Sequence, residues 1–235
     1  MKRFWDTASV EPIEDGYRIL LDDRLLRLPG GAALGLPNAA LAAAIAAEWQ
    51  LAGSTKGGTM DWDAVPLTRL AGTAQERIAP NPAPVLDALA GYAESDLLCY
   101  RADWPPALAE RERVAWQPWL DWAAAHYGAR LEVTRGIVHR AQDKAALAAL
   151  RQGLDAIDAL GLAALGVAVP LLGSLVLGLA MATGALDAAA AHGLAGLDEI
   201  YQAEQWGEDP EAVSRRARIG QDLAVAGRLL RLARP

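Results

Sequence analysis

The chain has 235 residues, with 22 Lys+Arg against 29 Asp+Glu and a formal net charge of −7. Hydrophobic residues at 53% and charged residues at 22% exclude a disordered chain, and the length allows one large domain or two small ones, each with its own core. The acidic balance argues against nucleic acid as a partner, because phosphate neutralisation needs a basic surface. A single cysteine, Cys99, cannot close an internal disulfide, so the expected compartment is reducing.

The opening residues, Met1 to Thr7, have neither the apolar run of a signal peptide nor the acid-poor Arg/Ser composition of an organelle presequence. The expectation is a chain that stays where it is made. Tyr17, Ile19 and Leu21 alternate with Arg18 and Leu20, the period of a half-buried strand. Asp15-Gly16 and Asp22-Asp23 are turn dipeptides, Leu26 and Leu28 continue the alternation, and Pro29-Gly30-Gly31 closes a small antiparallel meander. Asn38 is an N-cap for a helix carrying Leu41, Ile45, Glu48 and Trp49, with Gly53 as its stop. A loop follows to Asp63, and an apolar pattern resumes over 64–75. Pro80-Asn81-Pro82-Ala83-Pro84 is the densest cluster of breakers and sets the domain boundary. The fold class read from this pattern is α+β: an N-terminal α+β domain over 1–80 and a larger helical domain over 81–235.

Past the boundary, Val85, Leu89, Tyr92, Asp96 and Tyr100 fall along one helical face. Trp116, Trp119, Leu120 and Ala123 form the next stripe, with Pro118 suited to a first helical turn. Residues 131–138 are strand-like. Alanine-rich helices are expected over 144–160 and 186–205, and a final helix begins near Pro210 with Arg215, Arg216, Arg218, Arg228 and Arg231. The run 159–186 has no charge and is long enough to span a bilayer. Pro170 is expected to divide it into two core helices, and neither basic clusters nor aromatic anchors flank it, so it reads as buried and not as a membrane span.

Chemistry is sparse. Gly53-Ser54-Thr55-Lys56-Gly57-Gly58 has the composition of a phosphate loop in the wrong order, so it reads as a connector. His126, His139 and His192 have no ligand spacing, and no metal or cofactor is expected. Cys99 lies among Leu97, Leu98 and Tyr100 and reads as a small buried hydrophobe. Eight of fourteen aromatic residues are Trp. Core filling accounts for most of them, while Trp49 and Trp206, beside Glu48, Glu204 and Glu208, are candidates for a protein interface. Asp198-Glu199 with Glu204 is the most promising charged group. The composition leaves open a hydrolase or transferase using Asp96, Glu199 and Cys99.

Several motifs then align in order. Leu41-Ala42, Glu48-Trp49, Pro66-Leu67-Thr68-Arg69-Leu70, Asp96-Leu97-Leu98-Cys99-Tyr100-Arg101-Ala102, Pro118-Trp119-Leu120-Asp121-Trp122 and Asp198-Glu199-Ile200-Tyr201-Gln202 through Trp206-Gly207 cover nearly the whole chain. Together they resemble the assembly chaperones of the ATP synthase catalytic sector that handle the alpha subunit. The resemblance implies two domains, no catalysis and no cofactor. It also implies transient binding of the unassembled alpha subunit until a beta subunit replaces the chaperone. With no presequence, the chain resembles a bacterial, cytoplasmic and monomeric member. The partner-binding residues expected on this basis are Glu199 and Trp206, with Gln202 and Glu204 beside them and Glu48 and Trp49 second.

Overall fold

The computed structural model describes residues 1–234, which fall into two compact units. The first holds Met1–Pro82, joined by Ala159–Ala163 and the C-terminal stretch from Arg228; the second holds Ala83–Asp158 and Ala164–Gly227. The chain therefore breaks at Pro82, within the Pro80–Pro84 cluster, and the first unit also takes in two remote segments.

The first unit opens on an antiparallel sheet of β1 (Ala8–Ile13), β2 (Gly16–Leu21) and β3 (Arg24–Leu25), in that order. Gly16 is required at the first turn, since its φ is +136° and a Cβ there would lie 2.3 Å from the Leu36 carbonyl oxygen. Asp22 takes the left-handed φ of 51° at the second turn, and its Oδ1 accepts the amides of Asp6 and Thr7. Helix α1 (Ala39–Leu51) starts on Asn38, whose Oδ1 accepts the Leu41 amide at 2.9 Å. Ile19, Leu21, Leu41, Ile45, Trp5 and Trp49 form the core between sheet and helix. Helix α2 (Pro66–Thr73) follows with Pro66 at its first position, and a π-turn extends it over Ala74–Ile78.

In the second unit, the expected continuous helix over 85–100 is interrupted. Helix α3 (Ala83–Gly91) gives way to two short 3₁₀ turns separated by Asp96, whose ψ of 130° takes the chain out of the helix. Its side chain compensates by accepting the Leu98 amide. Helix α4 (Pro106–Tyr127) corrects the expectation for Pro118, which lies deep inside it and not in its first turn. The helix begins instead at Pro105-Pro106. Leu108, Glu112, Trp116, Leu120 and Ala123 are buried along one face, and this packing carries the helix through the proline. The strand expected over 131–138 shortens to β5 (Thr134–Arg135), paired in parallel with β4 (Tyr100–Arg101).

Helix α5 (Lys144–Asp155) is capped by Asp143. The uncharged run forms α6 (Ala159–Leu172) and α7 (Leu175–Thr183), but the division falls at Gly173-Ser174 and not at Pro170, which is internal to α6. Gly173 supplies a φ of +63° that an L side chain resists, and the Ser174 hydroxyl accepts the Leu177 amide to start α7. No helix among the described residues is long and apolar enough to cross a membrane. The helix expected over 186–205 is two, α8 (Ala188–Ala195) and α9 (Leu197–Trp206), divided at Gly196; α10 (Pro210–Ala233) ends the chain as expected.

Candidate functional site

Helix α9 presents the candidate residues. Gly196 ends α8 and starts α9, and Asp198 and Glu199 occupy the first turn, where carboxylates complement the helix dipole. Leu197 is buried, Ile200 and Tyr201 are half-buried, and Gln202, Glu204, Gln205 and Trp206 are exposed. Helical spacing puts Glu199, Gln202 and Trp206 on one side of the helix and Glu204 on the side of Leu197 and Ile200.

Arginines from neighbouring helices meet the carboxylates of α9. Glu199 Oε1 accepts Arg215 of α10 at 2.7 Å. Glu204 takes both terminal nitrogens of Arg111 of α4, at 2.5 and 3.0 Å, and this guanidinium holds its carboxyl below the usual range. Glu208 pairs with Arg216 at 3.3 Å. All three pairs are open to solvent on at least one side, so they contribute little to stability and exchange readily. A shallow cleft of about 190 Å³ runs beside them, lined by Ile200, Ala203, Glu204, Glu208 and Arg216. Trp206, at the tip of α9, is 79% exposed. Gly207 ends the helix there with a φ of +91°.

Asp198 behaves differently from its neighbours. It faces α4, where its carboxyl stands against that of Glu112, a buried residue. Glu112 Oε2 also accepts the Ala102 amide at 2.6 Å, and its backbone carbonyl accepts Arg101 at 2.9 Å. Arg101 lies over the Trp116 ring at 5.2 Å, and the Trp116 indole donates to the Leu194 carbonyl. These contacts fasten α8 and α9 to α4 and leave the outer face of α9 clear.

Glu48 and Trp49 require a correction: both are buried, and neither belongs to the exposed face of α9. Trp49 is 1% exposed, and its indole N–H donates to Thr68 Oγ1 at 2.9 Å. The buried Glu48 carboxylate accepts the amides of Leu67 and Thr68, the first-turn donors that α2 cannot satisfy itself. The hydrolase reading fares no better. Burial pushes the Cys99 thiol up to about 12, which removes the thiolate a nucleophile needs. Asp96 is fully buried and bound to the amides of Leu98 and Val176. The sequence reading missed Arg111, Arg215 and Arg216, whose carboxylate partners lie 93, 16 and 8 residues away along the chain.

Residues 2–124 match the family described as ATP12 chaperone protein. The crystal structure of Atp12 from Paracoccus denitrificans is 42% identical over 99% of this chain and 98% of its own, with a TM-score of 0.93. The chain belongs to the ATP12 chaperone family. A mutant of the same Paracoccus protein superposes equally well, and the Atu1473 protein of Agrobacterium tumefaciens is 38% identical over 99% of this chain and 86% of its own, with a TM-score of 0.92. The family is one of ATP synthase assembly chaperones and not of enzymes.

Proposed function

We propose that the chain binds the unassembled alpha subunit of the ATP synthase catalytic sector through the outer face of α9 and keeps it from aggregating until a beta subunit displaces it. A ring subunit exposes an apolar face before its neighbour arrives, and such faces associate non-specifically. Trp206 carries this reading: a large ring, 79% exposed at a helix tip, is the kind of anchor that dominates interface energetics. Glu199 and Gln202 share its side of the helix as polar groups, and Glu204 stands on the flank toward α4. Their arginine partners are exposed, so a cation on the client can take over Glu199 or Glu204 and leave again at little cost. A holding chaperone needs such an interface, with one apolar anchor and a polar rim, because it must release.

The same reading makes the protein a cytoplasmic monomer that caps one face of its client. Co-expression with the alpha subunit tests it. The wild-type chain should hold alpha in the soluble fraction as a heterodimer, while Glu199→Ala with Trp206→Ala should cut capture at least tenfold and remain folded. Normal capture by the folded double variant places the site elsewhere.

A further inference from the structure

The first unit carries a second apolar surface that α9 does not share. Two adjoining clefts, of about 280 and 590 Å³, have Leu26, Arg27, Trp49 and Trp62 in common. Leu26 and the edge of buried Trp49 form the floor. Phe4 and Trp62 stand at the walls, 45% and 43% exposed. Neither ring is loose: Phe4 packs edge-on against Trp5 at 5.2 Å, Trp5 against Trp49 at 5.0 Å, and Trp49 against Trp62 edge-on at 6.2 Å. A row of four rings thus has its two middle members in the core and its two ends presented to solvent. Exposed rings held this way lose little freedom when a ligand covers them.

The rim is cationic on a chain whose net charge is −7. Arg24, Arg27, Arg69 and Arg77 line the clefts, against the carboxylates of Asp23 and Glu76. Arg69 is held by Asp63, and Glu76 accepts the Gly30 amide at 2.8 Å. Among the described residues no carboxylate lies within ion-pair distance of Arg24, Arg27 or Arg77; Arg24 instead sits 6.0 Å from the Phe4 ring centre, and Arg27 donates to the Gly31 carbonyl. Unpaired guanidinium groups around an aromatic trough complement a ligand with large apolar side chains and several carboxylates.

We propose that this trough docks an acidic, apolar segment of the client polypeptide, giving the chaperone a second point of hold on the unit that lacks α9. The inference rests on the chaperone reading for the source of its ligand, but it uses none of the α9 residues. Two weak sites on one client give tighter retention than either alone, and losing one contact starts release.

The test uses the full chain and a fluorescein-labelled twelve-residue peptide alternating Leu and Glu, with Leu/Lys and Ser/Glu peptides as controls, read by anisotropy. The Leu/Glu peptide should bind at least tenfold more tightly than either control. Arg27→Glu with Arg77→Glu should weaken it tenfold or more, Trp62→Ala should weaken it severalfold, and Glu199→Ala with Trp206→Ala should bind it as the parent does. Equal binding of the Leu/Glu and Leu/Lys peptides, or no loss in the arginine variant, overturns the proposal. So does a concentration-dependent dimer abolished by Trp62→Ala, which makes the occupant a second copy of this chain. Peptide unbound while the α9 variant still loses client sinks the trough alone. Peptide bound while the α9 variant keeps client sinks the α9 reading alone.

Discussion

The carboxyl of Asp198 on α9 stands against that of Glu112 on α4, and its negative charge disfavours ionisation of Glu112. Burial first, then the Asp198 carboxyl, raise Glu112 from 4.5 to about 7. A raised folded-state value means the native chain binds more protons than the unfolded chain between these two values, so stability falls as pH rises from about 4.5 to about 7. Glu112 alone adds at most about 1.4 kcal/mol per pH unit to that slope, and Asp96, raised to about 6 by burial, steepens its lower half. Urea unfolding across this range should show the decline, and Glu112→Gln should flatten its upper half. A slope unchanged in Glu112→Gln assigns the titration elsewhere.

Asp96 is the second buried acid, and its role is to receive backbone donors. Oδ1 takes the Leu98 amide at 3.1 Å and Oδ2 the Val176 amide at 3.0 Å, so one side chain tethers the turn at 97–99 to the start of α7. Asp96→Ala leaves two buried donors unpaired and should cost about 1–3 kcal/mol for each by chemical denaturation. Asp96→Asn keeps one acceptor oxygen and should fall between the parent and the alanine variant. A neutral Asp96→Ala contradicts the tether.

What the sequence disclosed follows from the range of the interactions involved. The Asn38 cap and the Asp15-Gly16 turn are set by neighbours within a few residues, and each was legible. Pro118 was misplaced in a first turn and Pro170 misread as a breaker because tertiary packing of their helices outweighs the local penalty, which only the folded core reveals. Within the site, exposed Trp206 and Glu199 stood out by residue type. Trp49 looked equivalent until Thr68, 19 residues on, turned out to hold its indole. The Arg111–Glu204 pair spans 93 residues and has no local signature.

The burial of Glu48 separates a structural role from a binding one. Its carboxylate holds the amides of Leu67 at 2.9 Å and Thr68 at 3.2 Å, replacing the backbone acceptors that the first turn of α2 lacks. Glu48→Ala should destabilise the chain by about 2–3 kcal/mol, and Glu48→Gln by less, since its amide oxygen still accepts. At a temperature where the variant is folded, client capture should equal that of the parent. Reduced capture by fully folded Glu48→Ala restores it to the interface.

Gly178 allows α7 to approach α6 closely. A Cβ at this position would lie 2.4 Å from Val169 Cγ2, closer than two carbons can approach, and Leu165 stands 3.5 Å away on the same side. All the residues of α7 from Leu175 to Met181 are buried, so the helix has no free face toward which to shift. Gly178→Ala gains helix propensity worth about 1 kcal/mol, but it forces the two helices apart at an overpacking cost of about 1–3 kcal/mol. The net change should be destabilising, and Val169→Ala in the same chain should recover part of it by making room for the added methyl. Thermal unfolding of the single and double variants measures the coupling. Additive losses, with no recovery in the double variant, mean that the contact between Gly178 and Val169 does not set the separation of α6 and α7.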